Sequence, residues 1–184
     1  MGLLSRLFGK KTSSPRHAGH NMISLVALAS TWRKRSVDEI RQDLDETFPG
    51  EFLPPRSEGN FVIEGPAEGA SYCVQCTIPN YTGLFLIHNV PRQYSAFSDY
   101  LQHIKNPEMR RLADSQACWL SVDLIHRHTT ESEEDAYRFI RRVLGKLAPE
   151  DTTLLIHPSQ YHVARFTPKL RAILAAGGEP FGMA

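Results

Sequence analysis

The chain has 184 residues, of which 41% are hydrophobic and 22% charged, with 21 Lys and Arg against 20 Asp and Glu. A chain of this length and composition can bury its own core, so it needs no disulfide or metal to fold. The net charge of +1 excludes a global field that would attract nucleic acid. Three cysteines are too few for a disulfide framework, and no apolar run reaches about 18 residues. We therefore expect a cytoplasmic protein.

Residues 1–20 differ from the rest of the chain because they carry bases and no acid. Residues 1–11 place apolar side chains on one side of a short helix, with lysines after them. Such a segment is predicted to dock weakly on a protein partner or on the anionic inner surface of the membrane. The alternative is a frayed terminus or a small packing helix. The predicted docking residues are Leu3, Leu4, Leu7, Phe8, Lys10 and Lys11.

The sequence after this basic tail and its linker predicts one globular domain over residues 21–184. A buried strand is expected at 22–31. A helix follows it, with Ser36 as N-cap, Glu39 completing a capping box, and Pro49 and Gly50 at its end. Strands at 60–64, 71–78 and 83–90 come next, the first two joined by a turn-forming stretch.

The second half alternates helices and strands. A mostly helical region is expected from about Tyr94 to Ser115, interrupted at Pro107. A strand at 117–125 leads to an amphipathic helix at 131–147, and a last strand lies at 152–157. Thr167 is predicted to cap the final helix, and Gly177 follows its end. The apolar stripe of helix 131–147 is Ala136, Tyr137, Ile140, Val143, Leu144 and Leu147.

The element order is therefore β-α-β-β-β-α-β-α-β-α. The hairpins in the middle of the chain predict a mixed or mostly antiparallel sheet of about five to six strands. Three to four helices are expected to pack on it, largely on one face, which defines an α+β domain.

Asp123, His126 and His128 form the densest polar group and are the candidate metal ligands. Residues two apart in a strand share a face, so both histidines could approach one ion. Two histidines make only half of a typical site, and the alternative is a polar strand end. Single histidines at strand ends, such as His88 and His157, are more often packed or solvated than catalytic.

Cys73 and Cys76 form a C-x-x-C pattern. In redox proteins the first cysteine begins a helix, whereas a strand followed by a turn is predicted here. Residues three apart in a strand point to opposite faces, which favours small buried cysteines over a thiol site.

The remaining patterns point to binding more than to catalysis. The chain has no phosphate-binding glycine loop, no nucleophile elbow and no H-E-x-x-H, so no cofactor is predicted. The basic stretch 32–35 could contact phosphates, but it adjoins an acidic helix, and nucleic-acid binding is not favoured. Three tyrosines, Tyr81, Tyr94 and Tyr100, leave open a small-ligand pocket at a sheet edge.

Three stretches, SLVALASTWRKRSVDEIRQDL, GLFLIHNVPRQYSAF and LADSQACWLSVDLI, resemble the bacterial DUF4261 type, a family of unknown function. The resemblance covers about residues 22–165 and rests on hydrophobic pattern. This chain has Gln116 and Ala117 where that family tends to have histidine before the late buried strand. The resemblance implies no activity and no catalytic residues.

The sequence thus favours a non-enzymatic cytoplasmic domain that binds a protein, with a tail that docks on a partner or at the inner membrane. The alternative is a metal-dependent or thiol enzyme or sensor. It would use Asp123, His126 and His128, or Cys73 and Cys76.

Overall fold

The computed structural model describes residues 23–49, 62–64, 70–78, 81–94, 104–127 and 132–181. Within these ranges, the side chains at positions 37, 38, 41, 62–64, 70–78, 81–84 and 125–127 are outside the description. The tail at 1–20, with its six predicted docking residues, also lies outside the described residues.

Seven strands form one sheet in the described part of the chain. They are β1 (Ser24–Ala29), β2 (Val62–Glu64), β3 (Ala70–Ile78), β4 (Tyr81–Val90), β5 (Cys118–Arg127), β6 (Thr152–His157) and β7 (His162–Arg165). Their spatial order is β2-β3-β4-β5-β1-β6-β7, and every neighbouring pair is antiparallel. The sheet therefore ends with β2 on one side and β7 on the other.

Four helices are described, and their boundaries follow local capping chemistry. They are α1 (Val37–Thr47), α2 (Pro107–Asp114), α3 (Glu133–Leu147) and α4 (Pro168–Ala175). Each N-cap side chain accepts a hydrogen bond from a first-turn backbone N–H, which satisfies a donor that has no partner within the helix. These caps are Ser36, Asn106, Ser132 and Thr167.

The two faces of the sheet bury different apolar clusters. The larger core lies between the sheet and α1, α3 and α4, and it contains Leu25, Phe85, Phe139 and Leu174. The smaller one lies under α2, where Ala113 packs with alternate residues of β1 and β6. Because strand side chains alternate between faces, β1 contributes to both clusters.

The α+β class predicted from the sequence is confirmed. The capping box at Ser36, the helix start at Pro107 and the cap at Thr167 lie where they were predicted, and all six apolar stripe residues of α3 are buried. Residues 95–103 of the predicted helical region lie outside the described residues.

The sheet has one strand more than the five to six predicted. The additional strand is β7, which begins at His162.

Candidate functional site

Asp123 lies at the centre of a polar cluster on the α2 face of the sheet. The hydroxyl of Ser24 donates a hydrogen bond to its Oδ1, and the Ser121 hydroxyl donates to its Oδ2 at 2.9 Å. The Nε2 atom of His88 lies 3.4 Å from the same Oδ2. Strand register produces this grouping, since Asp123 pairs with Ser24 on β1 and with Leu86 on β4. His88 lies two residues after Leu86 on the same strand and pairs with Ser121.

Burial dominates the electrostatics of this aspartate cluster, which we define as Asp123, Ser24, Ser121 and His88. Desolvation raises the pKa of Asp123. The hydrogen bonds from the two serines and the nearby imidazole of His88 lower this pKa, but desolvation is the larger effect. Desolvation also lowers the pKa of His88, and the nearby carboxylate partly opposes that shift. Burial therefore favours the neutral form of both groups.

Two aromatic rings border the aspartate cluster. The ring of Trp119 lies 5.8 Å from that of His88 and 5.2 Å from that of Tyr94, measured between centroids. Burial raises the pKa of Tyr94, and the charge of Asp123 adds to this shift. The cluster thus combines a carboxyl, an imidazole and two aromatics.

The hydrogen bonds of the aspartate cluster are typical of a satisfied polar group in a sheet. Nucleophilic catalysis by serine requires a hydroxyl held beside a base, usually an imidazole. Here both serine hydroxyls donate to the carboxylate of Asp123. The arrangement therefore orients the aspartate and does not assemble a serine nucleophile.

The predicted metal ligands are only partly within the described residues. Asp123 is described, whereas His128 is outside and His126 is described only in its backbone, which pairs with Leu84 across a register shift. In the described part of the chain, no three metal-binding side chains come together. The metal site with His126 and His128 stays a prediction.

The other sequence candidates are separated by the fold or lie outside the description. Tyr81 begins β4 and Tyr94 follows its end, so the length of that strand, roughly 30 Å, separates them. These two tyrosines therefore do not share one pocket, and Tyr100 is outside the described residues.

Cys73 and Cys76 lie in β3, as predicted, without a described side chain. Cys118 is a buried free thiol whose pKa burial raises to about 11.

A groove of about 650 Å³ lies between α1, α3 and α4. Arg142 and Arg171 on its wall donate to backbone carbonyls, and Lys146 donates to Glu46. These hydrogen bonds tie the three helices together. The basic residues of the groove therefore have structural partners already.

The hairpin between β6 and β7 is the feature that sequence reasoning missed. It turns through Pro158–Gln160 and Tyr161, whose φ of 55° is in the left-handed region that a tyrosine rarely adopts. Tyr161 is 49% exposed, and among the described residues no other large hydrophobic residue is classed as exposed. Pro158 and Ser159 are turn-forming residues, so they are the sequence signal that could have located this turn.

Buried side chains hold the base of this hairpin. His157 Nδ1 lies 3.2 Å from the hydroxyl of Ser159, which lies 3.5 Å from the hydroxyl of Tyr137 on α3. The rings of His157 and His162 both contact the ring of Phe181, with 5.8 and 5.6 Å between the ring centroids. Burial lowers the pKa of His157 to about 4, so the imidazole is neutral at pH 7.

Beyond the hairpin, β7 leaves one side of its backbone unpaired. Phe166 N–H donates to Thr153 O at 2.8 Å, which fixes the alternation of the β6–β7 ladder. In an antiparallel pair, alternate residues direct both backbone groups toward the partner strand. His162 and Ala164 therefore face β6, while the N–H and C=O groups of Val163 and Arg165 face outward, and β7 has no further neighbour among the described strands.

Comparisons of the chain with protein-family models, curated proteins and solved structures give no match. In the described part of the chain, no helix has the length and apolar content to cross a membrane.

Proposed function

We propose that this domain is a protein-interaction module that binds an extended segment of a protein along the open edge of β7. The observation that carries the proposal is the outward-facing backbone of Val163 and Arg165. In strand addition, such groups supply the affinity and nearby side-chain contacts supply the specificity.

Among the described residues, the β7 edge lacks three common protections against pairing, although the strand is short. Proteins commonly block an edge strand with proline, lysine or a bulge. The sequence of β7, HVAR, contains neither proline nor lysine, and its register with β6 is regular. Its one charged side chain, Arg165, is 58% exposed and donates to Glu108 on α2 at 2.6 Å. This edge is therefore able to accept a strand.

An exposed tyrosine beside the edge supports the same function. Tyrosine is enriched among the residues that dominate binding energy at protein interfaces. Tyr161 is held in a strained backbone conformation at the start of β7, and such conformations concentrate at functional positions. The contacts of the buried His157 and the exposed His162 with Phe181 fix the hairpin that presents it, which lowers the entropy lost on binding.

The proposal is tested with peptides selected from a random-sequence library on the immobilised full-length chain. Val163→Pro removes an outward N–H that β6 does not use, so it should weaken peptide binding at least tenfold and leave the melting temperature within a few degrees. Val163→Thr is the matched control, because it keeps the N–H and the strand propensity. Equal binding by the Val163→Pro variant and the wild type would overturn the proposal.

The N-terminal tail extends this function as a further part of the proposal. Residues 1–11 dock on a protein partner or, through their lysines, on anionic lipid at the inner membrane of a bacterial cell, which places the domain in the cytoplasm. Removal of residues 1–20 should release the chain from vesicles containing anionic lipid. Unchanged vesicle binding and localisation would contradict the tail proposal alone.

A metal-dependent enzyme or sensor remains the second candidate, because Asp123 lies 3.4 Å from His88. Elemental analysis of the wild type and of a His126→Ala/His128→Ala variant tests it. One equivalent of metal that the variant loses would favour it, and a metal-free wild type would remove it. The likeness to the DUF4261 type stays a proposal as well and assigns no activity.

A further inference from the structure

We infer that the strand paired with β7 is β7 of a second copy of this chain, related by a two-fold axis at Ala164. The inference rests on the proposed function, since it uses the same open edge. It adds the identity of the partner and the register of the pairing.

Backbone direction restricts the possible registers. Only Val163 and Arg165 direct their hydrogen-bonding groups outward from β7. An antiparallel two-fold pairing centred on Ala164 places Val163 opposite Arg165 of the second copy, and Arg165 opposite its Val163. Each of these two pairs exchanges two hydrogen bonds, as hydrogen-bonded pairs of an antiparallel ladder do.

The neighbouring symmetric registers are less favourable. A pairing centred on Val163 places Arg165 opposite Tyr161, whose left-handed backbone lies outside the strand. A pairing centred on Arg165 places two guanidinium groups directly opposite each other, which is destabilising. The register centred on Ala164 avoids both problems.

Side chains also fit the register centred on Ala164. The residue on the axis belongs to a non-hydrogen-bonded pair, where Cα atoms approach to about 4.5 Å and side chains are closest. Alanine is small enough for that position. On the opposite face, the aliphatic part of Arg165 can cover Val163 of the second copy, and no like charges face each other.

The described helices pack on the faces of the sheet. The larger helix–strand contacts are those of α2 with β6 and of α3 with β1, β4 and β5, and Glu108 of α2 also pairs with Arg165 on β7. The register places Tyr161 opposite Thr167 of the second copy, next to Pro168 at the start of α4. The exposed tyrosine would thus pack at the rim of the interface.

The test is the dissociation constant of the full-length chain, measured by sedimentation equilibrium. The wild type should form dimers. Val163→Glu and Val163→Lys remove the same apolar side chain, but they place an acid or a base opposite Arg165 of the second copy. We expect Val163→Glu to dimerise at least tenfold more tightly than Val163→Lys. A monomeric wild type, or equal constants for the two variants, would overturn the inference.

A separate result distinguishes this failure from that of the proposed function. If the wild type is monomeric and Val163→Pro still abolishes peptide binding, the second-copy inference is wrong and the open-edge function stands. If the chain dimerises equally with Glu, Lys or Pro at position 163, its interface lies elsewhere and the inference is overturned. The melting temperature of each variant confirms that it is folded.

Discussion

Two side chains, the buried His157 and the partly buried Arg171, show how single residues stabilise the β6–β7 hairpin and the packing of α4 on α3. His157 anchors the hairpin that leads into β7, and burial lowers its pKa to about 4 against an ordinary value of 6.5. Arg171 on α4 donates to three carbonyls at the end of α3, those of Gly145, Ala148 and Pro149. Both residues satisfy buried polar groups that would otherwise destabilise the fold.

The lowered pKa of His157 predicts that the folded protein loses stability in acid. The imidazole of His157 binds a proton less readily in the folded protein than in the unfolded chain. Its contribution to the free energy of unfolding is therefore full above about pH 6.5 and is lost as the pH falls toward about 4. The shift corresponds to roughly 3 kcal/mol. Urea unfolding at pH 7 and at pH 4.5 should show a smaller pH effect for His157→Gln than for the wild type. An equal pH effect in His157→Gln and in the wild type would contradict the prediction.

Arg171→Lys should lower the free energy of unfolding by about 2–3 kcal/mol. An ammonium group cannot hold the three carbonyls at the end of α3 in the geometry of the guanidinium, whose stacking on Phe166 at 5.0 Å is also lost. Denaturant unfolding measures the change. Arg138→Lys, at an exposed position on α3, is the control and should be close to neutral. Equal effects of the two substitutions would show that the three hydrogen bonds contribute little.

At the scale of elements, α3 and α4 pack closely enough to exclude a side chain. A Cβ atom on Gly145 would lie 2.5 Å from the backbone nitrogen of Ala175 and 2.8 Å from its Cα. This close approach lets α4 lie directly against α3 and cover the core beside β6. The glycine is therefore a packing requirement and not a helix-breaking signal.

Gly145→Ala should destabilise the protein by about 1–3 kcal/mol, although alanine favours a helix by about 1 kcal/mol over glycine. The clash forces α3 and α4 apart, which thermal or urea unfolding detects. Since the close atoms belong to the backbone, adding Ala175→Gly should not restore stability. A Gly145→Ala protein as stable as the wild type would contradict the packing described here.

Sequence patterns predicted the elements better than their lateral arrangement. Caps such as Ser36 and Thr167 are local signals, because the hydroxyl and the N–H it accepts from are three residues apart. The contact between Asp123 and His88 depends on the register of β4 and β5, which no local pattern encodes. Strand β7 was missed because its four residues are too few for an alternating pattern to mark a strand, although Pro158 and Ser159 signal the turn before it.

At the scale of the whole molecule, the fold is a sheet that three helices cover on one face and that ends in an open edge. The polar groups of the aspartate cluster are satisfied within the sheet, whereas the outward groups of β7 form no hydrogen bond in the described structure. We therefore propose that function belongs to the edge of the sheet and to the hairpin that presents it.

The most direct test is amide hydrogen exchange at Val163, Ala164 and Arg165 in the full-length chain, free and bound to a selected peptide. We expect slow exchange at Ala164 in both states, because its N–H faces β6. Val163 and Arg165 should exchange fast in the dilute free chain and slowly in the complex. Fast exchange at both residues in the complex, or protection of both in the dilute free chain, would contradict the claim that β7 offers an open binding edge.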